Sequence, residues 1–187
     1  MEIYLIRHPK TVAPKGLCYG QTDFEIEGDL FVAQQTIIEK LPHFETSPKI
    51  YSSPLQRCLQ IANIFSQSVT VDTQLMELNF GDWENKFFDA LPCEDVKDWS
   101  ANFVEIPPPN GENFLQLMQR VGKFWQILIS ENVEVVLIFT HAGVIRALLA
   151  ILLKCPPQNV FHFQIECNSV QKFRHENDYT FIEYLNR

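Results

Sequence analysis

Arg7 and His8 stand side by side near the start of this chain, Arg57 and His141 stand farther along it, and Glu77 lies between those two. Each type has a chemical use. A guanidinium presents a planar fork of N–H donors that matches phosphoryl oxygens. A neutral imidazole can attack phosphorus and hold the transferred group covalently. A carboxyl can protonate a leaving oxygen and later take a proton from water. Each also has a plainer use. A lone histidine at a strand end is more often structural, a lone Arg57 is a solvated helix residue, and Glu77 alone means little. The chemistry therefore depends on whether the fold brings the five together.

The apolar pattern supplies the elements that would do so. Ile3 to Ile6 reads as a buried strand, Lys49 to Ser52 and Val69 to Val71 as short ones, and Val133 to Phe139 as the strongest. Helical faces recur between them: Leu30, Ala33, Ile37 and Leu41; then Leu55, Cys58, Leu59, Ala62 and Phe65; then a long stripe from Phe114 to Leu128. Val144 to Leu153 is an apolar helix that Cys155-Pro156-Pro157 ends. Val160 to Ile165, Ser169 to Phe173 and Tyr179 to Leu185 read as late strands. The alternation predicts an α/β fold, a three-layer sandwich with a mainly parallel central sheet flanked by helices. In such sheets ligands bind beyond the carboxyl ends of the strands. Arg7 and His8 follow the first strand, Ser52, Ser53 and Arg57 the second, and Thr140 and His141 the one ending at Phe139. One rim is predicted to hold them all. The segment 81–111, with Trp83, Phe87, Phe88, Trp99 and Pro107-Pro108-Pro109, reads as a lid-like irregular excursion with room for a short helix.

Bulk properties narrow the partners. A chain of 187 residues favours one domain over 1–187. The net charge is −8 with no basic stripe, so nucleic acid is not expected. An acidic surface repels anions at long range, so an anionic ligand needs a local cationic pocket. No run approaches the roughly 18 apolar residues of a membrane span. The start at Met1-Glu2-Ile3 is unlike a signal peptide, and a cytoplasmic protein is expected. Five scattered cysteines without a CxxC pair read as reduced thiols, with no metal and no cofactor expected.

At Leu5-Ile6-Arg7-His8-Pro9-Lys10-Thr11 the sequence resembles the Arg-His signature of the histidine phosphatase superfamily, in its phosphoglycerate mutase-like branch. Four more segments match in order: Ser52 to Cys58, with Arg57; Glu77 to Glu84; Asn110-Gly111-Glu112-Asn113 before the long helix; and Thr140 to Arg146, with His141. The resemblance covers residues 3–173 and implies a phosphoglycerate mutase-like fold. It implies that His8 is the nucleophile. Arg7, Arg57 and His141 would hold the phosphoryl oxygens, and Glu77 would be general acid and then base. Gly16 to Asp23 is most similar to the alpha-ribazole phosphatase group of the cobalamin pathway, where Gln21 and Thr22 would lie near substrate. Thr11 would touch phosphate or cap a turn. Pro9, Asn85, Asn110 and Asn113 depart from the family pattern at loops that shape the rim, which bears on the substrate rather than the reaction.

The expectation is a metal-independent phosphomonoesterase acting on a small soluble phosphate ester. Three rivals stand beside it. A mutase must shield its intermediate from water, and this chain stops at Arg187, two residues past Leu185, leaving little to cap the site. A non-catalytic phospho-ligand binder would lack nucleophile or acid, whereas His8, Glu77 and His141 are all present. A metal site on His8, His141 and Glu77 would set a divalent cation beside Arg7 and Arg57, which repel it.

Overall fold

A computed structural model describes residues 1–187. Six strands form the main sheet: β1 (Glu2–Arg7), β3 (Lys49–Ser52), β4 (Val69–Val71), β6 (Val135–Thr140), β7 (Val170–Glu176) and β8 (Tyr179–Tyr184). Their order is β4-β3-β6-β1-β7-β8. β1, β3, β4 and β6 run parallel; β7 is antiparallel to β1, and β8 to β7, so only β7 opposes the rest. A two-stranded ribbon, β2 (Leu17–Cys18) with β5 (Lys86–Phe87), lies outside the sheet.

The central strands are apolar on both faces because helices cover both. Ile3 and Leu5 of β1 and Val136 and Ile138 of β6 join a 22-residue core with α4 (Phe114–Ile129) and α5 (Ala142–Leu153). Tyr4, Ile6, Leu137 and Phe139 point the other way, into an 11-residue core with α1 (Leu30–Ile38) and α2 (Gln56–Phe65). This period-two division is what makes three layers from one sheet. α4 buries Phe114, Leu117, Val121, Phe124, Trp125 and Leu128 at helical spacing and starts on a capping box between Asn113 and Gln116.

Two sequence expectations need revision. Val160 to Ile165 is not a strand: Pro157–His162 forms a 3₁₀ helix. Pro157 presets a helical φ and lacks an N–H for a ladder, and both sides of β1 are already taken by β6 and β7. The excursion 81–111 is more ordered than its composition implied. It contains β5, α3 (Cys93–Asn102) and two 3₁₀ turns. It packs Trp83 and Leu91 on Cys18, with Phe80, Phe88, Val96 and Trp99 around them. No helix is long and apolar enough to cross a membrane.

Candidate active site

Parallel register decides which groups meet. Arg7 pairs with Thr140 at the ends of β1 and β6, and Ser52 pairs with Phe139 at the end of β3. The ladder runs one step further, since His8 N–H donates to Thr140 O and Ser53 N–H to Phe139 O. His8, Ser53 and His141 thus leave the sheet at one level. The loop after β4 is tied to the same rim by Thr140 Oγ1, which donates to Leu75 O at 2.9 Å, and carries Glu77.

His8 is almost fully buried. Its Nδ1 lies 2.6 Å from Pro9 O, and a carbonyl only accepts, so Nδ1 carries the proton and Nε2 keeps its lone pair. This backbone carbonyl is the orienting group that no sequence motif disclosed. Proline at position 9 supplies it as well as glycine would. Burial, and then the charges of Arg57 and Arg7, push the His8 pKa down to about 3. The ring is therefore neutral and nucleophilic at physiological pH.

His141 occupies the N-cap position of α5 without a side-chain capping bond and is wholly buried, edge-to-face against His8 with ring centroids 5.0 Å apart. Arg57 Nε donates to its Nδ1 at 3.3 Å, which leaves Nε2–H to donate to Ser53 Oγ at 2.8 Å. Burial, with the His8, Arg57, Arg120 and Arg7 charges, holds its pKa well below the ordinary value. The sequence put His141 on the phosphoryl oxygens; its side chain packs on His8, wholly buried, and is not among the residues that line the cavity.

Two neutral histidines couple folding to pH. Both protonate in the unfolded chain below about pH 6.5 but stay neutral in the fold, so their contribution is complete above that value and is lost as pH falls. His8 alone should drop the folding constant about tenfold per pH unit between pH 6 and 5, and His141 adds to the fall in the same direction. The depressed carboxylates Glu2, Glu84, Glu131 and Glu183 act only below about pH 4.5. Urea unfolding at pH 7, 6 and 5 should show this slope, and His8→Gln should make it clearly shallower. A slope unaltered by His8→Gln would contradict the burial argument.

Arg57 is completely buried in the first turn of α2. Nη1 donates to Thr22 O at 2.9 Å and Nη2 to Gly20 O at 2.5 Å. Tyr19 stacks over the guanidinium, and Asp23 lies 3.8 Å away. Gly20 is required here: a Cβ would fall 1.8 Å from Leu78 O. Arg7 donates through Nη1 to Ile165 O, while its buried Nε has no protein partner. A buried orphan donor beside the Arg57 guanidinium fits an anion.

Glu77 faces them. Its Oε1 accepts from Leu78 N–H at 2.9 Å and its Oε2 from Gly143 N–H at 3.2 Å. Arg120 fixes the backbone beneath it, donating to Gln74 O, Met76 O and Glu77 O and pairing with Glu112. Glu112 in turn accepts from Asn79 N–H at 2.9 Å. The neighbouring acids are occupied elsewhere. Burial would raise the Glu84 pKa, but the Thr22 hydroxyl and the N–H groups of Gln21, Phe80 and Thr22 outweigh it and hold the group below the usual carboxylate range. Asp82 accepts from Asn110 at the surface.

A cavity of about 290 Å³ opens on Arg7, His8, Arg57 and Glu77. Tyr19, Phe80, Phe114 and Phe161 form aromatic walls, and Arg146 stands at its margin. Thr11, Gln21 and Thr22, expected near substrate, do not line it. Thr11 Oγ1 donates to Tyr19 OH, Gln21 Nε2 to Glu77 O, and Thr22 is spent on Glu84. Arg146 was missed, although it lies three residues after Gly143 on the same helical face. Phe161 was missed because its segment was read as a strand. No three His, Cys, Asp or Glu side chains converge as metal ligands.

The family model of the histidine phosphatase superfamily (branch 1) matches residues 3–187. An adenosylcobalamin/alpha-ribazole phosphatase of Escherichia coli is 29% identical over 89% of this chain and 86% of that one. A Hydrogenobacter thermophilus protein with the provisional name phosphoserine phosphatase 2 is 26% identical over 100% of this chain and 95% of its own. The crystal structure of the alpha-ribazole phosphatase of Shigella flexneri superposes with a TM-score of 0.90 at 26% identity, covering 100% of this chain and 96% of that one.

Proposed function

This chain belongs to branch 1 of the histidine phosphatase superfamily, and we propose that it hydrolyses a small soluble phosphate monoester through a phosphohistidine on His8. The observation that carries this reading is the His8 ring, neutral, with Nδ1 bonded to Pro9 O and Nε2 free beside two guanidiniums. The Nε2 lone pair attacks phosphorus as the bond to the ester oxygen breaks, and Glu77 gives that oxygen its proton. Glu77, now a carboxylate, takes a proton from water as the water oxygen attacks phosphorus. The electron pair of the P–N bond returns to Nε2, and phosphate leaves. Arg7 and Arg57 offset the charge on the equatorial oxygens. His141 orients Arg57 through Nδ1, and its Nε2–H, shared with Ser53, is the donor it would offer the phosphoryl group.

Chain 1–187 works as one domain, with 81–111 backing the cavity from behind: Phe88 and Trp99 pack on Phe80, the lining residue just before that segment. Five unpaired cysteines fit a cytoplasmic setting. The leading substrate is alpha-ribazole 5'-phosphate, in keeping with the names of the relatives and with aromatic walls that suit a flat base. A phosphorylated hydroxy acid such as phosphoserine is the second reading. It is favoured by Arg146, whose only hydrogen bond is from Nε to Phe163 O, leaving both terminal nitrogens for a carboxylate. Ranking kcat/KM across alpha-ribazole 5'-phosphate, phosphoserine, 3-phosphoglycerate and nucleoside monophosphates separates the two. Activity should survive chelators and be inhibited by vanadate; failure on every ester would refute the proposal.

Arg57→Ala should weaken vanadate inhibition and kcat/KM together. A lost charged hydrogen bond costs roughly 1.5–3 kcal/mol, or about one to two decades. The loop carrying Gly20 and Thr22 loses its anchor as well, so the higher figure is expected. Unchanged vanadate inhibition would put Arg57 outside the reacting site.

A further inference from the structure

Gly143 occupies the second position of α5, in ordinary helical backbone without a positive φ. Nothing in its conformation calls for glycine, which among non-proline residues is the poorest helix former. The reason is spatial. A Cβ here would fall 2.1 Å from Glu77 Oε1 and 3.2 Å from Glu77 Cδ. The next atom, Leu117 Cδ2 at 3.3 Å, is a side-chain tip that can shift. The same residue donates its N–H to Glu77 Oε2. Gly143 therefore both makes room for the carboxyl and holds one of its oxygens.

We propose that Gly143 is a positioning residue for proton transfer: its missing side chain is the seat of the Glu77 carboxyl, and it fixes the acid to the helix end whose N-cap position His141 occupies. The inference rests on the proposed phosphohistidine mechanism. α5 then sets both sides of the reaction. His141, at its N-cap, orients the guanidinium that receives the phosphoryl group, and Gly143, two residues on, sets the proton donor for the leaving oxygen. A rigid helix end holds these groups to within the ångström that acid catalysis demands.

The test is Gly143→Ala, with Gly122→Ala of α4 as control, because a Cβ at Gly122 meets only Ile151 Cδ1 at an ordinary 3.6 Å. Gly143→Ala should lower kcat on an alkyl phosphate by about 10²-fold or more, the range of a displaced general acid. It should spare the phosphorylation step on p-nitrophenyl phosphate, read as a burst of phenol, and leave vanadate inhibition within about threefold, since the phosphoryl-binding groups are untouched. Gly122→Ala should change neither. Relief supplies the decisive arm. Glu77→Asp draws the carboxyl back by one methylene, so adding Gly143→Ala to Glu77→Asp should cost little beyond Glu77→Asp alone. If Gly143→Ala fails to fold, the pair with Glu77→Asp should fold. Equal losses in the phosphorylation step on both esters, full activity, or unfolding in both backgrounds would overturn the proposal. A wild-type protein inactive on every ester overturns the phosphatase reading instead.

Discussion

His8→Ala should leave a folded protein that binds phosphate and turns over no ester at a measurable rate. The fold should persist because β1 is held by ladders to β6 and β7 and by core residues Ile3 to Ile6, none of which the substitution touches. Phosphate should still bind because Arg7 and Arg57 remain. Turnover should vanish because the covalent route has no other nucleophile; removing one typically costs on the order of 10⁴–10⁶ in kcat. One rival lies close by. Ser53 Oγ is 2.8 Å from His141 Nε2, the spacing of an activated serine. Yet Ser53 is wholly buried and does not line the cavity. Rapid-quench labelling from a ³²P-ester separates the two. A phosphohistidine is lost in acid and kept in base, and a phosphoserine behaves the other way. Acid-labile label in the wild type and none in His8→Ala is the expected result. Acid-stable label, or full activity in the variant, would move the nucleophile to Ser53.

Glu77→Gln should show a loss that depends on the leaving group. An alkoxide must be protonated as it departs, whereas a nitrophenolate need not be. The variant should therefore lose about 10²–10⁴-fold on an alkyl phosphate and far less in the phosphorylation step of an aryl phosphate. Glutamine keeps an oxygen for Leu78 N–H or Gly143 N–H but has no proton to transfer. On the aryl ester a burst of phenol should appear, because dephosphorylation lacks its base. Glu84→Gln is the control. Glu84 bonds Gln21, Thr22 and Phe80 and does not line the cavity, so its loss should affect both esters alike and lower the melting temperature. Steep leaving-group dependence in Glu84→Gln, with none in Glu77→Gln, would show that the acid had been assigned to the wrong residue.

Local pattern was enough to mark the strands and helices that build the rim. Apolar runs at Ile3–Ile6 and Val136–Phe139 are buried on both faces, as strands of a parallel sheet covered by helices are. From that sheet it followed that Arg7, His8, Ser53 and His141, each just past a strand, meet at its carboxyl ends. Linear order also ranked Glu77 first among nearby acids, for a reason that became physical only when Glu84 and Asp82 were found tied elsewhere.

Side-chain direction and loop partnership were decided by tertiary structure. Thr11, Gln21 and Thr22 have the right chemistry for substrate, but Thr11 is taken by Tyr19 eight residues on, and Gln21 and Thr22 by the Glu77 carbonyl and Glu84 from a loop far along the chain. Phe161 reaches the cavity only because Pro157 turns its segment into a 3₁₀ helix beside a sheet with no free place for a strand. The proton on His8 is fixed by its neighbour's carbonyl, a group every residue possesses and no sequence pattern can distinguish. The sequence alone thus determined the layers, the rim and the residue types gathered there, because periodicity and parallel connection are local properties. Which carboxyl faces the cavity and which aromatic rings wall it depend on contacts between segments far apart in the chain, and only the folded structure sets those.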